Sequence, residues 1–192
     1  MLEFLNYIDT ELFLFLNGMH SPFWDNIMWQ ISRTYIWLPL YALMLFFIFK
    51  RMQSKGFVTF FILIILVLVA DQGSVHLFKN VFQRLRPCHE AHLADLVHIV
   101  NGKCGGQYGF VSSHAANTFA FASFIFLFFK NTHFRFFLFA WAALVSYSRI
   151  YLGVHYPFDV LGGAVWGFIS AYLIFQLHQM ILNKLESTKK PV

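Results

Sequence analysis

Five apolar stretches, at about residues 34–49, 57–78, 115–129, 134–152 and 157–181, run through this sequence at or near the length of a membrane crossing. Crossing the hydrocarbon core takes about 20 largely apolar residues, within a range of about 17–25. The second, fourth and fifth stretches have that length, and the first and third are on the short side. Their apolar residues do not keep to one helical stripe, since residues 124–129 and 134–139 are almost continuous Phe, Leu and Ile. A helix apolar all round is buried in lipid or in a large core.

Composition points the same way. Charged residues make up 12% of the chain, against about a quarter in an average soluble domain, so water is not its main solvent. A chain of 192 residues fits one domain. The expected fold is therefore all-α, a polytopic transmembrane bundle of five to six spans forming a single domain over residues 1–192. Residues 2–19 mix Leu and Phe with Glu3, Asp9 and Glu11, a pattern suited to a helix lying in the membrane interface, with a sixth span left open. Ser21 and Pro22 read as the N-cap and first position of a helix. Trp24, Trp29 and Trp37 follow at what would be headgroup level. Arg33 is the first Lys or Arg, so the N-terminal segment lacks the basic opening of a secretory signal and is expected to stay in the mature protein.

The net charge of +5 raises the possibility of nucleic acid. The basic residues form short clusters between apolar runs, however, with no stripe able to neutralise a phosphate backbone. No nucleic-acid partner is expected. Lys50, Arg51 and Lys55, then Lys130 and Arg135, then Lys184, Lys189 and Lys190 all fall on one side of the expected topology. The excess of basic residues at span ends assigns that side to the cytoplasm, so residues 83–111 and 151–156 face outward. That placement corresponds to an inner (cytoplasmic) membrane protein with its chemistry at the periplasmic or outer face. Arg84, Arg86 and Lys103 lie on the outward side and reduce the asymmetry, though a phosphate site there would need cations.

Charges at the ends of membrane helices are costly and tend to mark function. Lys79 and Arg86 are seven residues apart, close to the ~7.2 residues of two helical turns, and would share a face if the helix ran on to Pro87. The plainer reading is snorkelling cations at a helix end. Ser112, Ser113 and His114 open an apolar run, where a helix N-terminus offers free N–H groups to an anion, although such a start can equally be only a cap. Tyr156 precedes Pro157 and is biased away from helix, which places His155 in a turn and Pro157 at the start of the last helix. Asp159 then sits in the first turn, within reach of His155. A carboxylate on one imidazole nitrogen fixes the tautomer and strengthens the other as a nucleophile. Arg149 adds a guanidinium able to hold two phosphate oxygens at once.

At these positions the chain resembles the type 2 phosphatidic acid phosphatase (PAP2) superfamily, whose motifs are Lys-x6-Arg-Pro, Pro-Ser-Gly-His and Ser-Arg-x5-His-x3-Asp. The first matches at Lys79, Arg86 and Pro87, and the third at Ser148, Arg149, His155 and Asp159. The second matches at Ser112 and His114, with Val111 and Ser113 where the family pattern has proline and glycine. The resemblance covers residues 79–159.

It implies a lipid phosphatase in which His155 forms a phosphohistidine, His114 protonates the leaving oxygen and Asp159 orients His155. Lys79, Arg86, Ser112, Ser113 and Arg149 would bind the phosphoryl group. No metal or other cofactor is implied, because three cations can do the work of one. The partners implied are a membrane lipid phosphate and the surrounding bilayer lipids. Undecaprenyl pyrophosphate is the first expectation for the substrate, with lipid A phosphate, phosphatidylglycerophosphate and phosphatidic acid as alternatives. A non-catalytic lipid-binding membrane protein is the remoter one.

Cys88, His89, His92, His98 and Cys104 crowd one outward loop, but their spacing fits no common zinc pattern. Cys88 and Cys104 are expected to pair if the loop meets an oxidising compartment. Asp71, inside an apolar stretch, is expected to pair with His76 or with a neighbouring helix.

Overall fold

A computed structural model describes residues 2–129 and 132–187. The described residues are helical, with no strand beyond an isolated bridge between Leu85 and Tyr108. Helix α1 (Leu2–Gly18) is followed by α2 (Pro22–Ile31), whose Ser21 N-cap accepts a hydrogen bond from the Trp24 backbone and whose first residue is Pro22, as expected. A short 3-10 turn over Thr34–Trp37 leads into α3 (Leu38–Met52). Gln53, at φ 50°, breaks the helix there, and α4 (Gly56–Gly73) returns alongside it. A π-helical turn (Ser74–Lys79) and the single turn α5 (Asn80–Phe82) extend α4. Gln83, left-handed at φ 47°, then stops the helix; a residue in that conformation is a common helix terminator. A long loop with three 3-10 turns leads to α6 (Ser113–Phe128), α7 (Thr132–Tyr151) and α8 (Pro157–Ser187).

Helix α6 is the axis of the bundle. Ala115, Ala116, Ala120 and Phe124 are fully buried, and the helix packs against α4, α7 and α8. Its closest partner is α8, and Gly163 and Gly167 are the reason. A Cβ on either residue would stand 2.5 Å from a carbonyl oxygen of α6, that of Ser112 or of Ala116. Small residues four apart let helix backbones approach in this way. The contact seats the start of α8 against the start of α6, with the Ser112 amide donating to the Asp159 carbonyl at 2.9 Å. Outward faces stay apolar: Phe46, Phe57, Phe61, Phe136 and Tyr172 are all exposed. Two helical stretches are long and apolar enough to cross a membrane: Thr34–Phe82, which includes the break at Gln53, and Pro157–Ser187.

Basic side chains gather at one end of the bundle. Lys55 pairs with Glu186, Arg51 lies over Phe128 and Phe129, and Arg135 donates to the Phe129 carbonyl. The α4–α5 end, the starts of α6 and α8 and the end of α7 lie at the other. Lys130, Lys189 and Lys190 lie outside the described residues.

Candidate active site

The turn between α7 and α8 carries the central histidine. Residues 151–157 are all buried, and Gly153 adopts φ 77° where a Cβ would meet the His98 carbonyl at 2.6 Å, so only glycine fits. Pro157 opens α8, and Asp159, its third residue, accepts from the Tyr156 backbone N–H at 3.0 Å through Oδ2. This is the reach-back of a capping box, which satisfies one of the free donors at a helix start. The same oxygen stands 3.3 Å from His155 Nδ1. Nδ1 therefore carries the proton and donates to Asp159, leaving the lone pair on Nε2. Nε2 faces an Arg86 guanidinium nitrogen at 3.2 Å. Burial first, then the charges of Arg86, Arg149 and Lys79, hold the His155 pKa well below the ordinary histidine value. The imidazole is neutral, and its free nitrogen is aimed at a cationic centre.

Arg86 reaches this place by a route the helical spacing does not describe. The helix ends at Gln83, so Lys79 and Arg86 do not share a helical face. Arg86 is extended, and its amide bonds to the Gln107 carbonyl while the Gly109 amide bonds to the Arg84 carbonyl, which pins the loop segment 84–86 against residues 107–109. Its guanidinium also donates to the Val154 carbonyl at 3.3 Å. Lys79, carried on the π-helical turn, donates to Ser113 Oγ, which lies 2.6 Å from Ser74 Oγ. Such π turns often re-aim a side chain at a functional site. Ser112 occupies the N-cap position of α6 without using its hydroxyl as a cap. His114, the second residue of α6, lies within electrostatic range of Arg149, His155, Arg86 and Lys79. Arg149 donates to Ser32 Oγ of the α2 end.

All eight residues singled out from the sequence thus meet at one end of the bundle. Arg86 Nε, Arg149 Nε and Ser112 Oγ are buried and lack a hydrogen-bond partner among the described residues. Buried donors normally have partners, and three orphans on residues at this end of the bundle suit the oxygens of a tetrahedral anion. Phosphoryl transfer asks little else of a protein than such positioning and charge.

The sequence did not single out Arg84 and Asp9 as part of this assembly. Arg84 donates to Asp159 Oδ1 at 3.0 Å and pairs with Asp9 Oδ2 at 2.8 Å, with its guanidinium over the Tyr156 ring at 4.1 Å. Asp9 also accepts from the Phe158 backbone N–H at 2.9 Å. Both carboxylates are fully buried. The signals available were an outward cation at Arg84 and three carboxylates amid the apolar residues of α1, of which nothing singled out Asp9. In the outward loop Cys88 and Cys104 form a disulfide. Asp71 pairs with a neighbouring helix, accepting from Asn117 Nδ2 of α6 at 3.2 Å.

The model of one family, described as the PAP2 superfamily, matches residues 55–182, which include every motif residue above. The chain belongs to the PAP2 superfamily. This PAP2 protein is an enzyme, a phosphoric ester hydrolase, and its apolar bundle makes it an integral membrane protein. It is similar to a lipid A 4'-phosphatase of Bacteroides thetaiotaomicron, 41% identical over 189 residues that cover 97% of this chain and 84% of that protein. It is also similar to an undecaprenyl-diphosphatase of Sulfolobus acidocaldarius, 31% identical over 95% of this chain and 84% of that protein. Among solved structures, Aquifex aeolicus LpxE superimposes with a TM-score of 0.67 at 28% identity, over 87% of this chain and 94% of that one.

Proposed function

We propose that this PAP2 enzyme removes a phosphate monoester from a lipid A-type glycolipid by way of a phosphohistidine on His155. The geometry that carries the reading is the presentation of His155 Nε2: Asp159 holds Nδ1, and Arg86 stands 3.2 Å from the opposite nitrogen. In the first step Nε2 attacks phosphorus and the bond from phosphorus to the lipid oxygen breaks. Lys79, Arg86, Arg149, Ser112, Ser113 and the amides at the start of α6 stabilise the equatorial oxygens, and His114 gives its proton to the departing alcohol. Water, losing a proton to His114, then cleaves the phosphohistidine to release inorganic phosphate and restore the imidazole. Three protein cations supply the charge stabilisation that a metal would otherwise provide.

The sequence favoured undecaprenyl pyrophosphate as substrate. Near full-length 41% identity to a lipid A 4'-phosphatase moves the preference to a phosphorylated glycolipid. Hydrolysis of undecaprenyl pyrophosphate remains the second reading, supported by the 31% relative. We read α3, α4, α6, α7 and α8 as five spans with α1 in the interface. The site end faces the periplasm or outside, since the basic clusters occupy the other end.

The test is release of inorganic phosphate by purified protein in detergent. Wild type should cleave lipid A with a kcat/KM at least tenfold above that for undecaprenyl pyrophosphate, and His155→Ala should cleave neither. The reverse preference would favour the second reading, and equal rates for wild type and His155→Ala would remove His155 as nucleophile.

A further inference from the structure

The alcohol that leaves the phosphate must lie beyond His114, on the side from which that residue donates its proton. A cavity of about 250 Å³ begins there, bounded by Ser113 and His114 and running between α3, α4, α6 and α7. That is room for about eight water molecules at ~30 Å³ each, enough for one pyranose ring with its substituents. Its lining is mixed, with Val67, Phe121 and Val145 beside the polar residues. Asp71, Asn117, Thr118, Ser32 and Thr34 contribute polar groups, while Trp37 and Tyr41 contribute aromatic walls.

Asp71 calls for an explanation. Its charge interacts with that of Lys79 and helps keep the ammonium charged, yet an intramembrane charge is expensive. Asn117 Nδ2 donates to one Asp71 oxygen at 3.2 Å and Gln72 Nε2 to the other at 3.1 Å, while Asn117 Oδ1 is buried with no hydrogen-bond partner among the described residues. A polyprenyl or diacylglycerol alcohol would leave the Asn117 oxygen without a partner and the open lone pairs of Asp71 unused. Sugar hydroxyl and amide N–H groups are donors that match a carboxylate and an amide oxygen. The aromatic walls are held by their own contacts: Trp37 Nε1 donates to the Ile31 carbonyl at 2.8 Å, and Tyr41 packs edge-on to Phe121 at 4.9 Å between centroids. Rigid aromatic surfaces of this kind suit the C–H face of a pyranose.

We propose that this cavity is a saccharide subsite, in which Asp71 and Asn117 bind the sugar that bears the scissile phosphate and so select sugar phosphates over glycerol or polyprenyl phosphates. The inference rests on the glycolipid reading above and deepens it. Asp71 and Asn117 touch the leaving group, and the reaction at phosphorus is unchanged.

The experiment compares kcat/KM for lipid A with that for phosphatidic acid in wild type, Asp71→Asn and Asn117→Ala. Asp71→Asn keeps an amide able to bond to Asn117 and so preserves the α4–α6 contact. In each variant the lipid A to phosphatidic acid ratio should fall tenfold or more, through a raised KM for lipid A. As a check independent of variant folding, glucosamine phosphate should inhibit the wild type at concentrations at least tenfold below glycerol phosphate. A ratio unchanged in both variants, or equal inhibition by the two soluble phosphates, overturns the saccharide subsite while leaving lipid A hydrolysis standing. A wild type inactive on lipid A overturns both the subsite and the glycolipid reading.

Discussion

Arg84→Ala offers the sharpest check on how the site is held together. The guanidinium bridges Asp159 at 3.0 Å and Asp9 at 2.8 Å, both at 0% exposure, while its own side chain is 22% exposed. Removing one member of a buried pair costs about 3–5 kcal/mol, because it strands the partner charge. Water reaching the vacated position moves the cost to the lower end, about 3 kcal/mol. For a domain of this size each kcal/mol shifts the melting temperature by roughly 2–4 °C, so a fall of roughly 6–12 °C is expected. Activity should drop as well, since Asp159 without its counter-ion loosens its hold on His155 Nδ1. The loss is bounded above by the roughly 10⁴-fold effect of replacing a triad carboxylate and should exceed about tenfold. Arg84→Lys keeps the charge but engages one carboxylate at a time, and should lie between the two. Thermal unfolding in detergent and phosphate release measure both effects. Wild-type melting together with turnover within twofold would refute the bridging role.

Three further outcomes follow from the site and its surroundings. Because burial and neighbouring cations depress the His155 pKa, the neutral nucleophile survives acidification. The acid limb of kcat against pH should lie below the ordinary histidine value of about 6.5, and a limb at or above it would contradict the assignment. Turnover should persist in excess EDTA, and loss on chelation restored by magnesium would show that the three cations are insufficient. The Cys88–Cys104 bridge closes a loop of sequence separation 16 next to Arg86. The Cys88→Ser/Cys104→Ser double variant should lose about 3 kcal/mol of stability, read as a lower melting temperature.

The helices and their starts were legible because each rests on local chemistry. Ser21 with Pro22, and Tyr156 with Pro157, marked helix starts that the structure reproduces. The His155–Asp159 contact followed from four-residue spacing at a helix start. Arg86 was harder, because the helix that would have carried it ends in a left-handed Gln83, where neither glycine nor asparagine gave warning. Ser112 stands at the N-cap without capping, a distinction that depends on hydroxyl orientation rather than residue type. The partners of Arg84 lie 75 positions away at Asp159 and on the first helix at Asp9. No periodicity encodes a contact made only by tertiary packing. Asp71 was expected to pair with His76 or a neighbouring helix, and only the fold distinguishes Asn117 from the nearer candidate.

At the far end of α8, His178 is fully buried and its Nε2 meets Thr59 Oγ1 at 2.9 Å. From Asp159 to His178 is nineteen residues, a span of about 28 Å at ~1.5 Å per residue. A polar bond inside an otherwise greasy interface acts as an index mark on a shaft. Turning α8 by one residue, about 100°, would tear Thr59 from His178 and swing Asp159 away from the imidazole it steadies. The azimuth of Asp159 is thus set in part from the opposite end of the bundle.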